Sequence, residues 1–134
     1  MSSDAEIRWK QFLENYEKAL KELNKHKDTV FESNLEKAGY IHYFEIALEF
    51  AHKVMLAYLE AKGKPVEDPR EAVMELEKLG MVQNKRSWFR AQNRKKLPLY
   101  LHKNEKLFDE LIHDINDTYL PELAFLWRRL CEMK

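Results

Sequence analysis

The amino-acid sequence predicts an all-α fold, an antiparallel up-and-down bundle of about five helices with a core like that of a four-helix bundle. Only three glycines and four prolines interrupt 134 residues rich in Leu, Glu, Lys and Ala, and no alternation of Val, Ile and Thr suggests a strand. Apolar residues also recur every three or four positions in long segments, as they do in amphipathic helices. At this length we expect a single domain over residues 1–134.

Residues that cap helices stand at the start of each apolar segment. Ser3 and Ser33 each have a glutamate three positions later, the spacing of a capping box, and Asp68 precedes a proline suited to a first helical turn. Pro98 separates the last two predicted helices, and Pro121 is expected to bend the last one. The predicted N-caps are Ser3, Ser33, Asp68, Asn84 and Asn104, and the helices should end near residues 30, 62, 80, 96 and 134.

The charge and cysteine content exclude several classes of protein. Lys and Arg number 23, as do Asp and Glu, so no overall field attracts nucleic acid or an anionic membrane. The lone Cys131 rules out an internal disulfide and a cysteine-based zinc site. The first residues are polar, no segment has the ~18 consecutive apolar residues of a membrane helix, and glycine-rich phosphate loops are absent. We therefore expect a cytoplasmic protein that makes no membrane contact and uses no cofactor.

The second predicted helix is the most apolar and should lie at the centre of the bundle. On a helical wheel its apolar side chains cover well over half of the circumference. The remaining face is a narrow polar stripe formed by His42, Glu45, Glu49 and His52. We expect this stripe to line a groove or to face a second copy of the chain, and a stripe that contacts only solvent is the alternative.

Metal binding is another interpretation of the stripe. Glu49-x-x-His52 and Glu110-x-x-His113 both match the Glu-x-x-His element of helical bundles that hold two metal ions through carboxylates. Such a site also needs an inward Glu from each of two other helices. Glu110 and His113 lie away from the apolar face of their helix, so they should point to water. We therefore predict no metal site.

The segment 78–104 contains eight basic residues and no Asp or Glu. Arg86, Arg90 and Arg94 recur every four residues and form a ridge on one helix face, where guanidinium groups can bind phosphate or carboxylate. Aromatic rings among these charges suit nucleotide or RNA. The alternative is an exposed basic face without a ligand, and the aromatic pair at 88–89 should pack into the core. The residues predicted to bind phosphate are Arg90, Arg94, Lys95, Lys96, Tyr100 and His102.

Four sequence blocks carry a resemblance to a known family: "KAGYIHYFEIALEFAHK" (37–53), "DPREAVMELEKLGMV" (68–82), "SWF" (87–89) and "YLPEL" (119–123). Over about residues 7–130 the chain resembles the nucleotidyltransferase substrate-binding subunits, a branch of the HEPN (higher-eukaryote and prokaryote nucleotide-binding) helical bundles. The resemblance implies a compact helical bundle, a homodimer, and a small, separately encoded nucleotidyltransferase as partner, often in a toxin–antitoxin couple.

Catalytic HEPN proteins cut RNA with an Arg-Asn pair followed by a His and a Tyr, and the sequence departs from that motif. The Arg and Asn positions hold Lys95 and Lys96, the His position holds Tyr100, and the Tyr position holds His102. The resemblance therefore implies a non-catalytic subunit that binds nucleotide or phosphate, with Tyr100 as the tyrosine that a partner enzyme would modify. The alternative is a ribonuclease in which His102 is the acid or base and Lys95 or Lys96 stabilises the developing charge. A structural dimer without a ligand is a third interpretation.

Overall fold

The computed structural model describes residues 3–94 and 105–134, all with side chains except residue 105. Within these ranges every regular element is helical and no strand occurs, which confirms the all-α prediction. The elements are α1 (Asp4–Lys25), α2 (Asn34–Ala61), α3 (Pro69–Lys78), α4 (Lys85–Arg94), α5 (Glu105–Asp114), a π-helical turn (Ile115–Tyr119) and α6 (Leu120–Glu132). The last three elements follow one another without a break, and together we call them the C-terminal helix. None of the described helices is both long and apolar enough to cross a membrane.

The predicted caps are confirmed at four helix starts, and the fifth, Asn104, lies outside the described residues. Helix α1 ends at Lys25, earlier than the predicted residue 30. It ends where its buried face ends, because Leu23 is its last buried residue and Val30 is 87% exposed. Each capping side chain accepts a hydrogen bond from a backbone N–H two or three residues later, at 3.2 Å for Ser3 and Ser33 and 3.0 Å for Asp68 and Asn84.

The core is formed mainly by α1, α2 and the C-terminal helix, and α3 and α4 add residues such as Leu76 and Trp88. Helix α1 runs antiparallel to α2, because Arg8 near its start pairs with Glu60 near the end of α2 at 3.3 Å. It is also antiparallel to the C-terminal helix, because the Tyr16 hydroxyl donates to the Leu123 carbonyl at 2.5 Å and, just past the end of α1, the Lys27 carbonyl accepts from Asn116 at 3.0 Å. Helix α2 has buried residues from Tyr40 to Leu59, over most of its length, and is the central element of the bundle.

A π-helical turn stands where the sequence predicted a bend at Pro121. Proline has no N–H to donate, and its ring crowds the carbonyl four residues earlier, so a regular α-helix cannot continue unchanged through it. The preceding turn is widened, and the Leu120 N–H bonds to the Ile115 carbonyl, five residues back. The turn carries Tyr119, whose ring stacks on Phe44 of α2 at 5.6 Å between centroids.

Candidate anion-binding groove

Helix α4 is anchored by one face and exposes the other. Ser87, Trp88 and Ala91 are buried, so Trp88 packs in the core as predicted. Phe89 is half-buried and packs against the core, and the guanidinium carbon of Arg70 lies 4.4 Å from the centre of its ring. Because the buried residues fix the rotation of α4 about its axis, Arg90 and Arg94 are held on the side that faces α5.

Two arginines of the ridge converge on one carboxylate. Arg94 contacts Oδ2 of Asp114 closely, and Nη2 of Arg90 lies 3.7 Å from the same oxygen. The segment 78–104 has no acidic residue of its own, but Asp114 of α5 contacts it through Arg94. The side chain of Arg90 is 56% exposed, whereas that of Arg94 is 29% exposed. Arg94 is therefore held by the protein, and Arg90 remains accessible to a ligand.

These arginines form one wall of an open groove of about 480 Å³ between α4 and α5, which we call the α4–α5 groove. Its described lining consists of Arg90, Arg94, Asp109, Glu110, His113 and Asp114. Two carboxylates of the α5 wall have basic neighbours outside the groove, since Asp109 pairs with Lys37 at 2.8 Å and Glu110 lies 3.9 Å from Lys106. The described lining of the groove thus carries arginines on the α4 wall and carboxylates on the α5 wall, and Lys37 and Lys106 partly offset the charge of those carboxylates.

Beneath the arginines lies the phenol of Tyr119. It is 2% exposed, and its hydroxyl has no hydrogen-bond partner among the described residues. Burial raises the pKa of Tyr119, Arg94 and Arg90 lower it, and Asp114 raises it, which shows how near the hydroxyl is to the charged cluster. The net shift of the pKa is upward, so the phenol is protonated at neutral pH.

Glu122 fixes the start of α4, a role that sequence reasoning missed. Its Oε1 accepts a hydrogen bond from the Asn84 backbone N–H at 2.9 Å. Burial raises the pKa of Glu122, and the hydrogen bond from Asn84 lowers it less. The available signal was its place in the block "YLPEL", one residue after Pro121, but no local rule pairs that glutamate with a cap 38 residues earlier. The contact joins the start of α4 to the C-terminal helix. It thereby fixes where the arginine ridge lies relative to that helix.

Part of the polar stripe of α2 is exposed to solvent, and one end of it contacts α4. His42 and Glu49 are exposed, whereas Glu45 and His52 are half-buried. Nε2 of His52 lies 3.0 Å from Nε2 of Gln92, so this end of the stripe meets α4. The described lining of the α4–α5 groove includes none of the four, and the remaining expectation, contact with a second copy of the chain, stays a prediction.

The structure describes the residues considered as metal ligands, but not all of the predicted phosphate ligands. The side chains of Glu110 and His113 are half or more exposed, as expected, and His113 pairs with Asp117 at 3.0 Å. Across the described ranges, no three His, Cys, Asp or Glu side chains are grouped so that they could hold a metal ion. Four of the predicted phosphate ligands lie outside the described residues: Lys95, Lys96, Tyr100 and His102.

Comparison with known families identifies the chain. A family model described as "Nucleotidyltransferase substrate binding protein like" matches residues 11–132. The chain belongs to this family. The match runs from within α1 to the end of α6, including the α4–α5 groove, and it confirms the resemblance to the nucleotidyltransferase substrate-binding proteins. A search of curated proteins finds no match.

Proposed function

We propose that this chain is the non-catalytic substrate-binding subunit of a small nucleotidyltransferase and that it holds the phosphate of a nucleotide in the α4–α5 groove. The observation that carries the proposal is the convergence of Arg90 and Arg94 on a single carboxylate, Asp114, at the wall of that groove. Two guanidinium groups and one carboxylate leave one positive charge uncompensated. An anion that enters the groove can take up that charge.

The geometry gives the two arginines different roles. The contact of Arg90 with Asp114 at 3.7 Å exceeds hydrogen-bond distance, so little is lost when its guanidinium turns to a ligand. A guanidinium offers parallel N–H groups that match two oxygens of a phosphate. Arg94 is held by Asp114 and adds a fixed positive charge behind the ligand. Arg90 is therefore the direct ligand and Arg94 supports it.

Membership of the family supports a nucleotidyltransferase as the partner that performs the chemistry. The described groove is consistent with a non-catalytic role for this chain. Its histidine, His113, lies at an exposed rim, and the phenol of Tyr119 is buried and protonated. Assembly as a homodimer and a role as half of a toxin–antitoxin couple are further parts of the proposal, and they rest on the HEPN resemblance. Lys95, Lys96, Tyr100 and His102 are expected to add to the phosphate site.

A calorimetric titration with AMP tests the phosphate site. The parent should bind AMP at low salt and lose affinity as ionic strength rises, because the contact is between accessible charges. Arg90→Ala should weaken binding about tenfold or more, the loss of one charge-assisted contact. Arg86→Ala is the matched control, since Arg86 is exposed one turn earlier on α4 and does not line the groove. Equal affinities for the parent and Arg90→Ala would remove the groove from the proposal.

The ribonuclease alternative has a separate test. Purified parent and the His102→Ala variant would each be incubated with tRNA, and the products separated by size. The proposal expects intact RNA in both samples. Cleavage by the parent that disappears in the variant would establish the alternative, with His102 as the acid or base and Lys95 or Lys96 beside it.

A further inference from the structure

A second open groove, of about 350 Å³, lies between α1 and α6 and shares no lining residue with the α4–α5 groove. We call it the α1–α6 groove. We propose that it is the docking site for an acidic, amphipathic helix of the partner nucleotidyltransferase. This inference rests on the proposed function, since it names the surface of the chain that meets that partner.

The shape of the α1–α6 groove suits a helix. On its α6 wall Leu120, Ala124 and Arg128 follow one another at intervals of one turn, so this wall is about 12 Å long. The side chain of Ala124 is a single methyl group, which leaves a depression between Leu120 and Arg128. A helix that lies along the groove can place one side chain in that depression and its neighbours, one turn away, at the two ends.

The floor of the groove offers apolar surface that such a helix can cover. Leu20 and Leu120 are buried, whereas Ala124 and Trp127 are only partly buried and still contact solvent. Covering this surface removes it from water, which is favourable, and partly exposed aromatic rings in grooves are frequent anchors of protein contacts. The docked helix should therefore present an apolar side chain to Ala124 and Trp127.

The rim of the groove carries an excess of positive charge. Lys21 lies on the α1 wall and Arg128 on the α6 wall, and both are exposed without an ion pair in the part of the chain that the structure describes. Beside the groove, α1 adds two further exposed lysines and one exposed glutamate, and Glu17 is the carboxylate of the described lining. The charges along the groove are therefore four positive (Lys18, Lys21, Lys25, Arg128) and two negative (Glu14, Glu17), which complements an acidic partner.

The positions of the two cations set the spacing of the acidic residues. The hydroxyl of Tyr16 bonds to the Leu123 carbonyl, and α1 and α6 are antiparallel. Lys21 follows Tyr16 by five residues and Arg128 follows Leu123 by five, so they lie about 15 Å apart along the groove, toward opposite ends. Two acidic residues separated by two helical turns span about 12 Å, which the flexible cationic side chains can reach. The expected pattern is acidic, apolar, acidic, at intervals of one turn.

Two other anionic partners suit this groove less well. A nucleic-acid backbone offers phosphate and sugar, which gain little from an apolar floor, and Glu17 in the lining repels phosphate. An anionic bilayer combines charge with apolar chains, but its surface cannot follow a concave groove between two helices. A helix that carries apolar and acidic side chains on one face satisfies both the floor and the rim.

A set of capped helical peptides tests the docking site on the whole chain. The probe carries Glu, Leu and Glu one turn apart on a single face, and fluorescence anisotropy measures its binding to the parent. We expect the parent to bind this peptide, to bind a version with Ala for Leu about fivefold more weakly, and to bind a version with Lys for both Glu at least tenfold more weakly. The emission of Trp127 should shift to shorter wavelength on binding, and Trp127→Phe should lack that shift.

Exchanging the charges locates the contact. In the double variant Lys21→Glu/Arg128→Glu, affinity for the acidic peptide should fall at least tenfold, and the lysine peptide should bind within about threefold of the affinity that the parent has for the acidic one. Both substituted positions are exposed, so the fold should be unchanged, as circular dichroism would show. The matched control is Lys53→Glu/Arg86→Glu, which makes the same change of net charge at exposed residues outside the groove and should affect neither peptide by more than about twofold.

Several results would overturn the inference. They are a parent that does not bind the acidic peptide, a double variant that binds both peptides as the parent does, and a parent that binds phosphatidylserine vesicles in place of the peptide. A parent dimer that the double variant loses would assign the groove to a second copy of the chain instead. The AMP titration is independent, because Arg90 lies outside the lining of the α1–α6 groove. AMP binding without peptide binding removes the docking site alone, and peptide binding without AMP binding removes the phosphate site alone.

Discussion

Helices α1 and α2 meet over completely buried residues such as Trp9, Leu13 and Leu48, whereas α4 and α5 face each other across an open groove bridged by Arg90 and Asp114. The first interface is held by the removal of apolar surface from water, which is roughly independent of salt and of ligand. The second is held by accessible ion pairs, which contribute little to stability and can exchange partners. The comparison indicates that stability resides mainly in the first interface, whereas the proposed binding site lies in the second, so we expect each to be changed with little effect on the other.

The largest effect should come from the apolar interface. Trp9 is 0% exposed and lies edge-on to Tyr58 at 5.0 Å between ring centroids. Trp9→Ala should lower the free energy of unfolding by about 3–5 kcal/mol, because it leaves a cavity as well as exposing apolar surface. Urea denaturation measures the loss. Ile7→Ala, at a half-exposed position on the same helix, should lose less than about 1 kcal/mol, and a similar loss in both variants would contradict the assignment of stability to this interface.

Replacing each of two buried tyrosines by Phe tests a hydrogen-bonded hydroxyl against one without a partner in the described ranges. Tyr16 lies in the core on α1 and donates to the Leu123 carbonyl of the C-terminal helix, whereas the Tyr119 hydroxyl has no hydrogen-bond partner in the described ranges. Tyr16→Phe should cost about 1 kcal/mol, and Tyr119→Phe should be neutral or stabilising, because it removes a buried polar group that is not satisfied. Thermal unfolding of the two variants measures the difference, and the opposite order would show that Tyr119 has a partner that holds it.

Asp114→Asn should separate binding from stability in the groove. The amide keeps the shape of the carboxylate but no longer competes with a phosphate for Arg90 and Arg94. We expect AMP affinity to rise about three- to tenfold, while the free energy of unfolding changes by less than about 1 kcal/mol, since the ion pairs are partly exposed. Calorimetry and urea denaturation measure the two quantities. A fall in AMP affinity would mean that Asp114 is needed to hold Arg94 in place.

Local features of the fold were predictable from the sequence, and contacts between distant segments were not. Ser33 and Asp68 could be assigned as caps because a cap depends on residues two or three positions away. The meeting of Arg94 with Asp114 depends on how α4 packs on α5, and Asp114 follows Arg94 by 20 positions. The same holds for Glu122, whose bond to the start of α4 joins two elements that share no local pattern. The sequence therefore revealed the arginine ridge, but it did not reveal Asp114, the carboxylate that pairs with it.

The smallest effect should be a change in the pH dependence of stability at Glu122. Burial raises the folded-state pKa of Glu122 above the ordinary value of 4.5, so the folded protein binds this proton more tightly than the unfolded chain does. Its contribution to stability is present below pH 4.5 and is lost as pH rises through the folded-state pKa. Glu122→Gln has no proton to lose, and its oxygen can still accept the bond from Asn84.

The Glu122→Gln variant should therefore equal the parent in stability at pH 4 and exceed it slightly at pH 7. Thermal unfolding of both proteins from pH 4 to pH 7 measures the difference, in which the titration of all other groups cancels. Glu14→Gln, on the exposed face of α1, should run parallel to the parent over the whole range. If the Glu122→Gln variant loses stability as pH rises relative to the parent, then the carboxylate is stabilised by its charge, and the start of α4 is held by an electrostatic contact like those of the groove.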